Sequence, residues 1–181
     1  MIELHPFEAA GEISLSGEVL FEKNHVKVFF QVDLGLTEID LKGQPSERTV
    51  FQGTEVQRRD QLWEKTCFEV FIRPKNSREY FELNFGFHPE YGPAWACYEF
   101  TSYRQPTPPV PSTGFILNSF TWDTKGSLAV ELINRTPHQE FHIGLTAIVV
   151  LKSGTKAYFA LTHAGDKPDF HLSESFILQR K

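Results

Sequence analysis

The sequence predicts an all-β protein, an antiparallel β-sandwich of two sheets. Aromatic residues make up 14% of the 181 residues, with 17 Phe and a single Met, which favours a core of rings and β-branched side chains over leucine-rich helices. Short segments with strand composition recur along nearly the whole chain. The amphipathic helices that parallel crossovers require are not indicated between them, so the strands are expected to be antiparallel.

Ten candidate strands follow one another along the chain. They lie at residues 13–20, 25–33, 66–73, 79–87, 94–102, 114–121, 127–134, 141–150, 156–162 and 175–179. Turn-forming residues separate several of them, namely Lys-Asn-Ser at 75–77, Thr-Lys-Gly at 124–126 and Lys-Ser-Gly at 152–154. These turns predict hairpins. They leave open whether the topology is a jelly-roll or is immunoglobulin-like.

Two stretches interrupt the series of strands. Residues 34–62 are polar and charged, and the run QPTPPVP at 105–111 contains too many prolines for a sheet. Both are predicted to be long loops, a kind of segment that often carries function. Because the chain has the length of one domain, we treat residues 1–181 as a single sandwich domain.

Composition excludes several classes of partner. The net charge of -5 leaves no basic surface for nucleic acid. The sequence has no long apolar run, and its start lacks the basic and apolar regions of a signal peptide, so we expect a soluble, cytoplasmic protein without a membrane partner. Cys67 and Cys97 are too few for a disulfide framework and have no C-x-x-C spacing.

Alternation along two neighbouring segments places carboxylates on a shared face. In 66–73, Glu69 lies opposite the core face and between Cys67 and Phe71, where a carboxylate is unusual unless that face lines a groove. In 79–87, Glu82 and Asn84 oppose a phenylalanine-rich face. A hairpin would bring these polar groups together. The predicted core face of the first segment comprises Thr66, Phe68, Val70 and Ile72.

This combination of side chains is the one that sugar recognition requires. A pyranose ring stacks its apolar face on an aromatic ring, and its hydroxyls form hydrogen bonds with carboxylate, amide and guanidinium groups. The residues of these types on or near the hairpin are Trp63, Glu69, Glu82, Asn84, Trp95 and Arg104. The alternative interpretation is structural, with the tryptophans closing the sandwich edge and the acids solvated.

Three segments resemble a known family. They are LWEKTCFEVFI at 62–72, YFELNFGFHPEYGPAWACYEFTSYR at 80–104 and YFALTHAGDKPDFHLSESFIL at 158–178. On these segments the chain, from about residue 10 to 180, resembles the DOMON-like domains related to family 9 carbohydrate-binding modules. The resemblance implies a β-sandwich with a ligand groove on one face or rim.

The same resemblance implies roles for individual residues. Trp63 matches a stacking tryptophan, Glu69 a groove carboxylate and Asn84 a groove amide. The family's second stacking tryptophan lies in the final loop, where this chain has no tryptophan and Phe170 takes its place. The residues expected to complete the binding site from this loop are His163, Asp169, Phe170 and His171.

Other chemistries compete with sugar binding. Another branch of the DOMON-like domains binds haem through Met and His ligands, but Met1 is the only methionine, which leaves His163 and His171. Structural calcium is a further feature of related modules, although no calcium-loop motif occurs here. Glu69 and Glu82 are candidates for the acid and base of a glycosidase.

These observations favour a non-catalytic module that binds a small saccharide or a polysaccharide and needs no cofactor. A haem-binding redox domain is the first alternative, and a hydrolase with paired carboxylates is the second. No nucleophile elbow, zinc-protease motif or phosphate-binding loop supports an enzyme.

Overall fold

The computed structural model describes residues 1–107, 112–136 and 140–180. Within them the chain is all-β, and its strands are antiparallel except for one short parallel pair, which confirms the predicted fold class. The strands are β1 (Ile2–Pro6), β2 (Ser14–Glu22), β3 (His25–Leu34), β4 (Thr49–Gln52), β5 (Gln57–Arg58), β6 (Cys67–Pro74), β7 (Tyr80–His88), β8 (Gly92–Ser102), β9 (Gln105–Pro106), β10 (Phe115–Asp123), β11 (Ser127–Asn134), β12 (Phe141–Val150), β13 (Lys156–Ala160) and β14 (Leu178–Arg180). Short 3-10 turns lie at Leu36–Glu38, Leu62–Glu64 and Ser173–Ser175.

Strand β1 joins two halves of the sheet. Residues 2–4 pair with β2, and residues 5–6 pair with β13. The first half has the order β4-β10-β11-β3-β2, and the second has the order β13-β12-β6-β7-β8-β5, with β14 beside β12 and β9 beside β8. The hairpin predicted between β6 and β7 is present.

The two halves pack face to face across an aromatic and aliphatic core. Phe30 of β3 lies 5.2 Å from Phe68 of β6 between ring centroids, and Phe120 of β10 lies 5.8 Å from Phe87 of β7. The predicted core face of β6 is confirmed, since Phe68, Val70 and Ile72 all belong to this core. Edge-to-face ring geometry at several of these contacts adds specificity to the apolar burial.

The second half is also covered on its outer face. A second apolar cluster forms there between the outward residues of β6, β7 and β8 and residues 161–177, which we call the closing segment. Phe176 of the closing segment stacks on Phe71 with ring centroids 5.5 Å apart. Gly144 of β12 makes room for it, because a Cβ there would lie 2.9 Å from Phe176 Cδ1. The outer face of this half is therefore a second packed layer.

The predicted loop over residues 34–62 is wrong in part. It contains β4, which pairs with the edge of β10, and β5, which pairs with β8. These strands have four and two residues, too few for hydrophobic alternation to reveal them in a polar stretch. In the predicted loop at 105–111, residues 105–106 form β9, while 108–111 lie outside the described residues. Strand β1 was missed by the sequence analysis.

Cys67 and Cys97 are both buried free thiols. Over residues 1–107, 112–136 and 140–180, no cluster of three His, Cys, Asp or Glu side chains is arranged to hold a metal ion. None of the helices in this part of the chain has the length and apolar character needed to span a bilayer.

Candidate functional site

A cavity of about 470 Å³ opens on the outer face of β6, β7 and β8. Its floor comes from outward residues of these strands, and its walls come from the 62–64 turn, β9 and the closing segment. The lining residues are Trp63, Glu69, Phe71, Glu82, Tyr98, Phe100, Arg104, Pro106, Ile148, Tyr158, Pro168, Phe170 and His171. The volume lies in the range of small-molecule sites, and the lining combines apolar walls with a few polar groups, as such sites do.

Two carboxyl groups lie in the floor of this cavity. Glu69 of β6 pairs with Asn84 of β7, and Glu82 is displaced from Asn84 by two residues along the same face. Their side chains are almost fully buried, at 2% and 5% exposure. Thr146 Oγ1 donates a hydrogen bond to Glu69 Oε2 at 3.0 Å, and Asn84 Nδ2 donates to Glu82 Oε1 at 2.8 Å. The polar groups that alternation predicted to converge are therefore side by side.

Burial raises the pKa of both carboxyls. For Glu69, desolvation is the main cause and the charge of Glu82 adds to it, against the hydrogen bonds from Thr146 and Cys67. For Glu82, desolvation raises the pKa, while the Asn84 hydrogen bond and the charge of Arg104 lower it. Two neighbouring carboxylates in such a place repel each other, so the pair retains a proton to higher pH than exposed glutamates do.

The amide oxygen of Asn84 is a further polar group in this part of the sheet. Asn84 Oδ1 is fully buried and receives no hydrogen bond from any residue in the described ranges. Glu69 is the strand neighbour of Asn84, so this unsatisfied acceptor lies beside the two carboxyls. The floor thus presents two carboxyl groups to a ligand, with the amide of Asn84 between them on the sheet.

His171 forms one wall of the cavity and is held by Tyr80. The Tyr80 hydroxyl lies 2.7 Å from His171 Nδ1, and it also accepts a hydrogen bond from the Arg104 backbone N–H at 3.1 Å. The hydroxyl is therefore assigned as the donor to Nδ1, which leaves the proton of a neutral imidazole on Nε2. Nε2 faces Glu82 Oε2 at 3.6 Å, beyond direct hydrogen-bond distance.

The imidazole is neutral at physiological pH. Burial and then the charge of Arg104 lower the pKa of His171 to about 4, against an opposing contribution from Asp169. With the pKa of Glu82 raised, the 3.6 Å approach is a contact between a neutral ring and a carboxyl group and not a strong ion pair. Both Nε2–H and Glu82 Oε2 therefore keep bonding capacity toward the cavity.

An ionic cluster at the cavity rim orients Arg104. Arg104 Nη2 lies 3.0 Å from Asp169 Oδ1, and its Nε donates to the Tyr103 hydroxyl at 3.1 Å. Tyr103 in turn donates to Asp169. The backbone of Arg104 is left-handed, with φ of 53°, a conformation that costs energy for a residue other than glycine. The cluster therefore fixes the guanidinium at one side of the opening.

Aromatic rings form the opposite sides of the opening. Trp63 is 37% exposed and meets Tyr98 edge to face, with centroids 5.9 Å apart. Tyr98 is anchored because its hydroxyl donates to Asp60 at 2.8 Å. Across the cavity, Phe170 packs at 6.2 Å from Tyr158. The turn that carries Trp63 begins after Gln61, another left-handed residue, with φ of 61°.

The structure brings together most of the predicted site residues. Those that line the cavity are Trp63, Glu69, Glu82, Arg104, Phe170 and His171. Asn84 and Asp169 support them from behind, through Glu82 and Arg104 respectively. His163 is not part of the lining, since its Nε2 is bonded to the His5 carbonyl at 2.9 Å and its ring packs on Phe7.

Trp95 requires a correction. It lies in the inner core with 6% exposure, under the guanidinium of Arg58 at 4.5 Å, and not in the cavity. The reason is strand register: Glu82 pairs with Tyr98, so Tyr98 shares the face of Glu82, whereas Trp95 points inward with Cys97. Trp95 was predicted from its residue type, whereas the strand register places Tyr98 on the cavity face.

Several lining residues were not predicted from the sequence. Tyr98 and Phe100 could have been predicted from the β7–β8 register. They pair with Glu82 and Tyr80 and therefore lie on the same outward face. Phe71 shares the face of Glu69 and had been noted only as its neighbour. Ile148, Tyr158, Pro106 and Pro168 reach the cavity through tertiary packing of distant segments, for which the sequence carries no local signal.

Comparisons with known proteins identify a fold relative and no family. No protein-family model matches the chain, and no curated protein matches it either. A solved structure from Bacteroides uniformis, of a protein named as a candidate carbohydrate-binding protein, is similar over 97% of this chain and 84% of its own, with a TM-score of 0.56 and 10% identity. At that identity the similarity shows a shared fold alone.

Proposed function

We propose that the protein is a non-catalytic binding module whose cavity holds a carbohydrate. The observation that carries the proposal is the half-exposed Trp63 ring above a floor of two buried carboxyl groups. A flat apolar surface beside recessed hydrogen-bonding groups matches the two faces of a pyranose ring. The candidate carbohydrate-binding protein of the same fold supports this ligand class.

Each part of the cavity has a role in this proposal. Trp63 and Phe170 stack against the apolar face of the sugar, and Phe170 replaces the second tryptophan expected from the DOMON-like resemblance. Glu82 and the Nε2–H of His171, 3.6 Å apart, bind hydroxyls between them as acceptor and donor. Arg104 binds a further hydroxyl from the rim, held in place by Asp169.

Nothing in the arrangement favours the haem alternative over sugar binding. His163 Nε2 is bonded to a backbone carbonyl, and His171 Nδ1 is bonded to Tyr80. Met1 is exposed at the chain start. That the protein needs no cofactor stays a prediction. A structural calcium site of the kind implied by the related modules also stays a prediction.

A glycan array with the purified protein is the first test, followed by calorimetry with the glycans that bind. We expect binding that Trp63→Ala abolishes, because the stacking surface is lost, and that Glu82→Gln weakens by about tenfold, because one acceptor oxygen becomes a donor. Tyr91→Ala is the matched control, since Tyr91 is an exposed aromatic, at 45%, that does not line the cavity.

Two outcomes would contradict the proposal. An array without any bound glycan would refute carbohydrate binding, and an absorbance spectrum with a Soret band on the same sample would favour haem. Release of shorter products from a bound glycan, lost in Glu69→Gln, would convert the module into a hydrolase with paired carboxyls.

A further inference from the structure

A second cavity continues the first one along the same face of the sheet. It has a volume of about 360 Å³ and shares His171 with the first cavity. Its charged side chains are Arg73, Arg78 and Glu174, and Phe176 forms part of its apolar wall. We call it the basic cleft, because it contains two arginines where the first cavity has two carboxyls.

Strand alternation places the two cavities side by side on one face of the sheet. On β6 the first cavity uses Phe71 and the basic cleft uses Arg73, two residues on. On β7 and β8 the same two-residue step leads from Glu82 to Tyr80, and from Phe100 to Ser102. Residues two apart share a face and are spaced by about 7 Å, so all three strands pass from one cavity to the next in the same direction.

A ridge of rings separates the two parts. Tyr80 stacks on Phe100 with centroids 4.8 Å apart, and His171 packs edge-on against both at 5.9 and 5.2 Å. The Tyr80 to His171 hydrogen bond holds the ridge together. A ligand that occupies both parts must cross this ridge, which offers apolar ring surface and no charged group apart from the rim residue Arg104.

The polar groups of the basic cleft favour an anion. Arg73 packs its guanidinium 5.9 Å above the Phe176 ring, and its Nε is buried with no hydrogen-bond acceptor among the residues that the structure describes. Arg73 has no ion-pair partner within 4 Å among the described residues, so its charge is not neutralised by a direct contact. Arg78 lies in the exposed turn between β6 and β7 and adds a second positive charge to the same cleft.

One opposing charge faces the cleft. Glu174 is exposed and accepts a hydrogen bond from its neighbour Ser173 at 3.0 Å. Hydrogen bonds from its own backbone N–H and from Ser173 lower the pKa of Glu174, and the charge of Arg73 adds a smaller lowering contribution. With Glu174 counted, the lining keeps a net positive charge, since His171 is neutral. An incoming anion would compete with Glu174 for Arg73.

We propose that the basic cleft is a second subsite that binds an oxyanion substituent of a saccharide whose adjacent ring lies in the first cavity. The proposal rests on the proposed carbohydrate function and narrows it to acidic sugars, those with a carboxylate, sulfate or phosphate group. A guanidinium binds such groups with two parallel hydrogen bonds, a geometry that a neutral hydroxyl does not match.

The test compares neutral glycans with their uronic-acid and sulfated counterparts on one array, followed by calorimetry of matched pairs. Acidic glycans are expected to bind at least about tenfold more tightly than neutral ones of the same backbone. Arg73→Gln and Arg78→Gln should remove most of that preference while neutral glycans still bind. Glu174→Gln should increase it, because the competing carboxylate is gone.

Arg48→Gln is the matched control, an exposed arginine outside both cavities. Arg78 is exposed, so its variant tests the cleft even if Arg73→Gln folds poorly. Equal binding of neutral and acidic glycans, or a preference unchanged by both arginine variants, would overturn the second subsite while leaving the proposed function intact.

A separate measurement covers the case in which no glycan binds and the proposed function fails. Inorganic sulfate is titrated against sodium chloride of equal ionic strength, and the backbone amide signals of Arg73, Arg78 and Ser173 are followed by NMR. Shifts specific to sulfate that disappear in Arg73→Gln support an oxyanion site. Identical shifts with both salts would refute it.

Discussion

The two halves of the sheet share one inner core and differ in what covers their outer faces. In the first half, β3 and β11 alternate between buried and half-exposed residues along most of their length. In the second half, β6 and β7 are buried at all positions but one each. The closing segment makes the difference, because it lies over the second half and gives it a second apolar cluster.

The difference explains why the candidate site is where it is. Glutamates on the first half stay near water and near polar partners: Glu22 lies 2.8 Å from Lys27, and Glu131 accepts a hydrogen bond from Asn118 at 2.7 Å. Glu69 in the second half has no cation within 4 Å among the described residues, although it is only 2% exposed. A buried carboxyl without a counter-charge destabilises a fold, so a position of this kind indicates a function.

The largest expected effect is a loss of stability when an aromatic ring is removed from the covered outer face of the second half. Phe71→Ala removes a ring that is 1% exposed, and we expect a loss of about 3 to 5 kcal/mol in the free energy of unfolding. Phe29→Ala is the matched change on the outer face of β3, where the ring is half-buried, and should cost clearly less. Urea denaturation measures both. Equal losses would mean that the closing segment adds no second core.

The next largest effect is the pH dependence of stability that the two buried carboxyls cause. Because the folded state raises the pKa of Glu69 and Glu82, it binds protons that the unfolded chain has already released. The stabilisation by this pair is complete below the ordinary glutamate pKa of 4.5 and is lost as pH rises through the raised values. As far as this pair contributes, the free energy of unfolding should therefore be lower at about pH 8.5 than at about pH 5.

Glu69→Gln isolates that contribution. The neutral isostere should flatten the decline in the unfolding free energy between about pH 5 and 8.5, and at the upper end it should stabilise the protein by about 2 kcal/mol. Glu18→Gln, on the partly exposed outer face of β2, is the control and should leave the pH profile unchanged. If Glu69→Gln follows the wild-type profile, Glu69 does not hold a proton in the folded state at a pH where the unfolded chain has released it.

The smallest expected effect on stability belongs to Trp63. Since the ring is 37% exposed at the cavity opening, Trp63→Ala should cost about 1 kcal/mol, well below the 3 to 5 kcal/mol typical of a fully buried aromatic. Thermal denaturation of the variant used for the glycan experiment measures this directly. A cost of several kcal/mol would show that Trp63 closes the second core and would favour a structural role.

Sequence pattern alone predicted the strands that hold the floor of the site. Alternation placed Glu69 and Glu82 outward and Phe68, Val70 and Ile72 inward, because side chains in a strand have a period of two whatever the rest of the fold does. It did not predict which aromatic residue of β8 joins them. Trp95 and Tyr98 lie three apart and thus on opposite faces, and only the pairing of Tyr98 with Glu82 decides between them.

The sequence by itself determined the all-β class, the hairpin of β6 and β7, and the presence of carboxyl groups on its outward face, since each of these follows from local alternation and turn chemistry. Tertiary structure decided that this face is covered. The closing segment places His171 and Phe170 over strands that precede them by more than 60 residues. Such contacts depend on chain folding over long sequence distances, and it is this covering that turns solvated acids into buried ones.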